Sequence, residues 1–99
     1  GINVYPTAVG SLLAEHPAAG GEYVCRVERR GSRDELTVVL EIRPAVPRTP
    51  ALARELEATL SQKLGVDIGV ELVGPGETAA LTQIEARQKP IRLVDRRRA

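Results

Sequence analysis

Polar and apolar residues alternate along three stretches of the chain, and a period of two is typical of β-strands. The first two stretches, residues 22–29 and 36–43, are separated by a short turn centred on Gly31. They therefore predict a β-hairpin. The third stretch covers residues 68–72, and we expect this strand to stop at the Gly-Pro-Gly sequence of residues 74–76.

Two other stretches place apolar residues at the spacing of an α-helix. Residues 6–16 form the first, which the Pro and Gly residues at positions 17–21 should end. The second follows Thr49, a suitable N-cap, with Pro50 in the first turn and Gly65 as a left-handed terminator. Its apolar stripe repeats every four residues at Leu52, Leu56, Leu60 and Leu64.

A short strand over residues 2–5, stopped by Pro6, completes the order strand, helix, strand, strand, helix, strand. Because each helix has a single apolar face, the economical packing places both helices on one face of an antiparallel sheet. The sequence thus predicts an α+β fold, a ferredoxin-like two-layer sandwich, as a single domain over residues 1–99. After Gly76 the periodicity fades, which predicts an extended C-terminal tail with about one helical turn near residues 81–87.

The composition refines this prediction. Hydrophobic residues make up 42% of the 99 residues, enough for one folded domain, but aromatic residues make up only 2%, with no Phe and no Trp. The core should therefore be aliphatic. The same scarcity argues against an RNA-recognition module, because such modules stack bases on aromatic side chains of their sheet.

The charges are nearly balanced, with 14 basic and 13 acidic residues and a net charge of +1. This balance argues against a protein whose main task is to grip nucleic acid or an anionic membrane. No apolar run approaches the length of a membrane span. The exception to the balance is the C-terminus, where Arg92, Arg96, Arg97 and Arg98 cluster.

A single cysteine, Cys25, excludes an internal disulfide and predicts a reducing, cytoplasmic environment. Cys25 alternates with apolar neighbours, so we expect a small buried residue rather than a nucleophile. One cysteine and one histidine, His16, offer no metal-binding spacing, and we predict no metal site and a capping or exposed role for His16. The chain contains no Met, even at position 1, so we expect a piece of a longer protein.

Three segments resemble, in the same order, the C-terminal domain of phenylacetate-CoA ligases, which belong to the adenylate-forming acyl-CoA ligases. Residues 1–7, Gly-Ile-Asn-Val-Tyr-Pro-Thr, are similar to the Gly-x-Asn-Val-(Phe/Tyr)-Pro-Ser segment that follows the family's hinge. Residues 34–37, Asp-Glu-Leu-Thr after a Gly-containing turn, are similar to the family's hairpin. Residues 88–97, Gln-Lys-Pro-Ile-Arg-Leu-Val-Asp-Arg-Arg, are similar to its closing Gly-Lys-x-x-Arg-Val-(Ile/Val)-Asp-x-Arg.

The resemblance implies the small lid domain of an enzyme that uses ATP to activate a carboxylic acid as acyl-AMP and then transfers the acyl group to coenzyme A. Lys89 matches the family's catalytic lysine for the first step. Gly1 and Asn3 match the segment that is implied to line the coenzyme A channel in the second step. Residues 96–98 are expected to form a solvated end or to contact the large domain or the phosphates of coenzyme A.

The implied partners are an N-terminal adenylation domain of the same polypeptide and an aryl or other carboxylic acid. That domain is expected to hold most of the ATP together with its Mg²⁺, so this chain alone should be inactive. The acyl substrate is not specified by the sequence, and a homodimer is left open.

Three departures from the family pattern leave other functions open. Gly10 stands where the family usually has Glu, Gln88 stands where Gly usually precedes the lysine, and the loop between Gly76 and Lys89 is longer than the common form. One alternative is therefore a ligase that has lost activity. The other is a stand-alone regulatory or small-molecule-binding domain, which would use the same fold without needing the lysine.

Overall fold

A computed structural model describes residues 5–97 of the chain. Gly1, Asn3 and all but the last residue of the strand predicted at residues 2–5 lie outside the described residues. In chain order the elements are α1 (Pro6–Leu13), β1 (Ala19–Arg30), β2 (Arg33–Ile42), α2 (Pro50–Leu64), β3 (Ile68–Val73), α3 (Ala79–Thr82) and β4 (Leu93–Asp95).

The second predicted helix, α2, has the ends that its sequence indicates. The Thr49 hydroxyl accepts the backbone N–H of Leu52 at 3.1 Å, Pro50 begins the helix, and Gly65 ends it with a φ of 75°. Only glycine adopts that left-handed conformation without steric cost.

In the part of the chain that the structure describes, no helix is both long and apolar enough to cross a membrane.

The described strands form a mixed sheet in the order β3-β2-β1-β4. The predicted hairpin is confirmed, since β1 and β2 are antiparallel with Cys25 opposite Val38 and Val27 opposite Leu36. The predicted antiparallel sheet is wrong, because β3 runs parallel to β2 and β4 runs parallel to β1. A crossover helix such as α2 returns the chain in its original direction, so the strands on either side of it pair in parallel. The α+β class is confirmed.

The main core lies between the two longer helices and one face of the sheet. As the composition predicts, it is aliphatic except for Tyr23 and Cys25. Cys25 is 2% exposed, and burial raises the pKa of its thiol to about 11, so the group is a neutral thiol at physiological pH. The buried core residues are Val9, Leu13, Ala19, Tyr23, Cys25, Val27, Leu36, Val38, Leu40, Ile42, Leu56, Leu60 and Ile68.

The opposite face of the sheet is covered as well, by the segment after β3. Val24 and Val39 pair across β1 and β2 on this face and are 0% and 3% exposed. Thr78 and Thr82, at the two ends of α3, are also buried there. The tail contains the predicted helical turn, although α3 lies slightly earlier than residues 81–87, and the prediction missed β4, which pairs with β1. Elements of four and three residues are too short to show a periodicity.

The end of the described chain is tied to the hairpin by an ion-pair network rather than left in solvent. Arg97 donates to both Asp95 and Asp34, in the latter case at 3.0 Å. Arg29 donates to the other Asp34 oxygen, also at 3.0 Å. Hydrogen bonds from Arg29 and then Arg97 hold the pKa of Asp34 below its usual range. Arg98 lies outside the described residues.

We expect this network to make the stability of the domain depend on pH. A carboxyl group with a lowered pKa in the folded state stabilises the fold above its unfolded pKa of about 3.9, and this stabilisation is lost as the pH falls through the folded pKa. Asp34→Asn should therefore reduce stability at pH 7 and flatten its fall below about pH 4. Urea unfolding midpoints measured from pH 7 to pH 2 test this.

The control for that experiment is Glu35→Gln. Glu35 is the next residue on β2 and pairs with Arg30 at 3.0 Å, but both side chains are largely exposed. Surface pairs of this kind contribute little to stability. The network has no special role if Asp34→Asn and Glu35→Gln give the same dependence on pH.

Candidate functional site

The predicted catalytic residue, Lys89, lies in a closed loop on the covered side of the sheet. We call residues 83–90 the lysine loop. It begins where α3 ends, at Gln83, whose φ of 54° turns the chain out of the helix. It closes where the backbone N–H of Ile91 donates to the carbonyl of Thr82 at 2.7 Å. Within the loop, the Arg87 side chain donates to the carbonyl of Lys89 at 3.1 Å.

The side chain of Lys89 is exposed, and within residues 5–97 no carboxylate forms an ion pair with its ammonium group. Many arginines of this chain, by contrast, are paired internally, as Arg92 and Arg97 are. An ammonium group with no internal partner is available to an anion from outside the domain. An exposed lysine is common on any surface, so its position in the loop matters more than its exposure.

The N-terminal side of the lysine loop is held by Glu41, a residue of β2 that is only 7% exposed. Its carboxylate accepts the backbone N–H of Gly76 at 2.8 Å and that of Thr78 at 2.9 Å. It also accepts the hydroxyl of Thr78. Together these contacts fix the point where α3 begins.

The charge state of Glu41 follows from two opposing effects. Burial alone would raise the pKa of this carboxyl group, but the hydrogen bonds from Thr78 and Gly76 lower it, and the positive charge of Arg92 lowers it further. The net result is a pKa below the usual range for Glu. The group is therefore an ionised carboxylate at neutral pH.

The C-terminal side of the loop is held by Arg92. One of its guanidinium nitrogens donates to the Glu22 carboxylate at 3.0 Å and to the carbonyl of Tyr23 at 2.7 Å. The guanidinium carbon lies 4.6 Å from the centre of the Tyr23 ring, which is within the range of a cation–π contact. The carbonyl of Arg92 accepts the backbone N–H of Cys25 at 2.8 Å, so the chain is fixed to β1 at this point.

Glu41 was not identified from the sequence. A lone Glu in an alternating strand suggests a solvent-facing position, and the segment that buries it follows 35 residues later at Gly76. A usable signal was present in Val24 and Val39. These apolar residues occupy the face that the alternation assigned to solvent, and they indicate that another segment covers it.

The unusual Gly10 has a structural reason. A Cβ atom at this position would lie 2.5 Å from the hydroxyl oxygen of Tyr23, closer than any side chain tolerates. That hydroxyl donates to the carbonyl of Pro6 at 2.9 Å. The larger residue that the family usually has here would not fit while Tyr23 occupies this position. Gln88, the other departure, is exposed and adjoins Lys89.

We expect Gly10→Ala to destabilise the domain by about 1–3 kcal/mol, the usual cost of inserting a group into a packed region. Alanine alone would favour the helix by about 0.8–1.0 kcal/mol, so the sign of the effect tests the contact. In a Tyr23→Phe background the closest contact is absent, and the same substitution should cost less. Urea unfolding of the four variants measures the coupling, and equal costs in the two backgrounds would exclude this explanation.

The other residues singled out from the sequence have ordinary surroundings or lie outside the described residues. His16 lies in the turn after α1, where its ring accepts the backbone N–H of Ala18 at 3.1 Å and lies 2.6 Å from Glu55. Gly1 and Asn3 are not among the described residues, so their assignment to a channel stays a prediction. Across residues 5–97, no group of three or more His, Cys, Asp or Glu side chains is arranged to hold a metal ion.

Three surface depressions of the described chain lie away from the lysine loop. They have volumes of about 510, 580 and 270 Å³, and no residue of the lysine loop lines any of the three. The first two of these depressions share residues near the hairpin turn, such as Arg33, Asp34 and Asp67. An exposed lysine on a fixed loop can supply one wall of a reaction site.

The family model for the AMP-binding enzyme C-terminal domain matches residues 1–97. The phenylacetate-coenzyme A ligase of Aromatoleum evansii is 35% identical over 103 residues, which cover 98% of this chain and 22% of that enzyme.

Solved structures agree with the family match. A domain of phenylacetate-coenzyme A ligase from Bacteroides vulgatus has a TM-score of 0.77 at 25% identity, over 100% of this chain and 90% of that one. A 2-hydroxyisobutyryl-CoA ligase, in complex with 2-HIB-AMP and CoA in its thioesterification state, has a TM-score of 0.80 at 28% identity, over 97% of this chain and 20% of that one. The chain therefore spans about a fifth of the length of the complete ligases that it matches.

Proposed function

Since this chain belongs to the family of AMP-binding enzyme C-terminal domains, we propose that it is the lid of an ATP-dependent acyl-CoA ligase. The complete enzyme would activate a carboxylic acid as acyl-AMP and transfer the acyl group to coenzyme A. The observation that carries this proposal is Lys89, whose ammonium group forms no ion pair within residues 5–97 and which lies on a loop fixed at both ends. No observation favours a stand-alone regulatory domain.

In the first half-reaction, the substrate carboxylate attacks the α-phosphate of ATP and pyrophosphate leaves. Two anions approach each other, and negative charge develops on the phosphate oxygens. An ammonium group aimed at those oxygens lowers the barrier, and the effect is largest where water is excluded. The exposed Lys89 gains such surroundings only when the loop closes over a second domain, which fits a lid.

In the second half-reaction, the thiol of coenzyme A attacks the acyl carbonyl and AMP leaves. The lysine has no role in this step, and it must move aside to admit the pantetheine arm. Rotation of a lid between two orientations accomplishes this exchange, and such movements often limit turnover. Gly1 and Asn3 are proposed to line the channel for coenzyme A in the second orientation.

ATP, coenzyme A and the carboxylic acid are substrates of the complete enzyme. Because residues 5–97 contain no cluster of metal-binding side chains, the Mg²⁺ that accompanies ATP would be held mainly by an N-terminal adenylation domain. The acid pocket is proposed to lie in the same domain. The proposed substrate class is carboxylic acids. The proposed location of the enzyme is the cytoplasm.

The test uses the full-length polypeptide that contains this domain and the 99-residue chain alone. The full-length protein should catalyse ATP–pyrophosphate exchange that depends on a carboxylic acid, and should form a CoA thioester from it. A panel of aryl, hydroxy and fatty acids identifies the preferred class. The isolated chain should do neither.

The intact mass of the native polypeptide is the complementary measurement. A protein several times heavier than 10.7 kDa, with these residues inside it, agrees with the lid proposal. A native mass near 10.7 kDa, with no partner chain that restores exchange, would overturn it. A regulatory domain that binds a small metabolite would then become the first hypothesis to test.

A further inference from the structure

Glu41 is an ionised carboxylate at a buried position of the sheet. It lies on the same face of β2 as Val39, is 7% exposed and carries a negative charge. An ionised carboxylate costs free energy to bury unless hydrogen bonds compensate, and an apolar side chain of similar size would avoid this cost. The carboxylate, unlike an apolar side chain, fixes the position of the short segment Gly76–Thr78, because it accepts three hydrogen bonds from it.

This contact reaches the lysine loop through a single helical turn. The carbonyl of Thr78 accepts the N–H of Thr82 at 2.9 Å, and the carbonyl of Thr82 accepts the N–H of Ile91 at 2.7 Å. One end of the loop is therefore placed by Glu41 through α3. Thr82 is itself 0% exposed, so the end of this helix cannot shift without disturbing the packing.

The other end of the loop is placed by Arg92, which follows Lys89 by three residues. Its guanidinium contacts Glu22, the carbonyl of Tyr23 and the Tyr23 ring, all on β1. A lysine in its place would keep the charge but lose the planar group that donates and stacks at the same time. The loop is thus tied to the two central strands, through Glu41 on β2 and through the contacts of Arg92 with β1.

An otherwise exposed loop needs such supports if its lysine is to act. Loops on a surface are more mobile than the strands that carry them, and ordering a residue costs about 1–2 kcal/mol of conformational entropy. A misplacement of about 1 Å can reduce a catalytic rate by about 10²-fold. The position of the loop ends therefore bears directly on the reaction.

We propose that Glu41 and Arg92 are positioning residues for Lys89, which hold the two ends of the lysine loop so that the ammonium group meets the phosphate of ATP. The inference rests on the proposed function. It adds two residues that do not touch the substrate and act through the loop. It also assigns the buried charge at Glu41 a part in the adenylation step alone.

The experiment measures both half-reactions of the full-length protein with Glu41→Gln and Arg92→Lys. Each variant keeps the size of the side chain and weakens the hydrogen bonds at one end of the loop. Acyl-adenylate formation should slow by about 10-fold, within the range expected for a small misplacement. Thioester formation from pre-made acyl-adenylate should stay within about 2-fold of the parent protein, because the lysine takes no part in it.

The matched control is Glu35→Gln, on the same strand and face as Glu41 but exposed and paired only with Arg30. It should leave both half-reactions unchanged. A general loss of folding in the Glu41 or Arg92 variants would reduce both half-reactions together, and this outcome would overturn the inference. The half-reaction from acyl-adenylate thus serves as an internal measure of folding.

Lys89→Ala in the same assay separates this inference from the proposed function. If Lys89→Ala selectively slows adenylation while Glu41→Gln and Arg92→Lys do not, the positioning roles are wrong and the lid function stands. If Lys89→Ala slows neither step or both steps equally, the lysine assignment itself fails. Selective loss in all three variants supports both.

Discussion

Replacing Lys89 by Ala in the full-length polypeptide should slow formation of the acyl-adenylate by about 10²–10³-fold or more, the usual cost of removing one preorganised group that stabilises developing charge. Thioester formation from pre-made acyl-adenylate should change little. The substitution should affect the chemistry and leave the fold unchanged, because this lysine is exposed. Within residues 5–97 its ammonium group makes no ion pair, so its removal leaves no buried group without a partner.

Because Lys89 is exposed and makes no ion pair within residues 5–97, the effect of Lys89→Ala on the reaction is easy to interpret. An alanine at an exposed loop position should leave the fold intact, because surface substitutions away from special features usually change stability by about 0.5 kcal/mol or less. A loss of adenylation is then a loss of chemistry rather than of protein. Urea unfolding of the isolated domain, with and without the substitution, verifies this directly.

Lys63→Ala is the matched control for Lys89→Ala. Lys63 is the other lysine of the chain, and it is exposed in the last turn of α2. Its removal should leave both half-reactions within about 2-fold of the parent, since it lies outside the lysine loop. If the two alanine variants lose adenylation to the same extent, a general effect of positive charge would explain the result and the specific role of Lys89 would be refuted.

The elements that sequence analysis predicted well are those with a local physical cause. The hairpin follows from a period of two on each side of Gly31, and that pattern also sets which residues face the helices. The ends of α2 follow from the side chain of Thr49 and the left-handed conformation of Gly65. Each of these signals acts over a few residues, so a single sequence is enough to find it.

The features that the prediction missed depend on contacts between distant parts of the chain. Strand β4 has only three residues, and its place beside β1 is fixed by pairs such as Cys25 with Leu93. The parallel pairing of β2 with β3 depends on where α2 packs. Glu41 becomes a buried residue only because the segment beginning at Gly76 folds over it. No periodicity within one segment reports such an arrangement.

The candidate site likewise depends on contacts between distant segments that no local pattern predicts. Lys89 was identified through its resemblance to a family motif and not through any local pattern. The supports of its loop, Glu41 and Arg92, were not assigned from the motif, because their role lies in contacts with Thr78 and Tyr23. Apolar residues on a face assigned to solvent, as at Val39, were the one sequence signal that pointed to the covered side of the sheet.

The second large effect is on stability, and it concerns the stripe of leucines on α2. Leu60 is 1% exposed and belongs to the core between the helices and the sheet, whereas Leu64 lies at the end of the same stripe and is only partly buried. Truncation of a buried leucine removes its transfer free energy and leaves a cavity, at a cost of about 2–5 kcal/mol. A partly buried position can collapse or admit water, so its cost should be smaller.

We therefore expect Leu60→Ala to reduce the stability of the isolated 99-residue domain by about 2–5 kcal/mol, which is a factor of roughly 30 to several thousand in its folding equilibrium. Leu64→Ala should reduce the stability by about 1 kcal/mol. The solved structure of a similar domain from a phenylacetate-coenzyme A ligase, of which this chain covers 90%, indicates that such a unit can be studied alone. Urea unfolding followed by circular dichroism measures both variants. Equal losses would mean that both leucines are buried to a similar degree, and that α2 packs on the sheet along its whole length rather than through its middle turns.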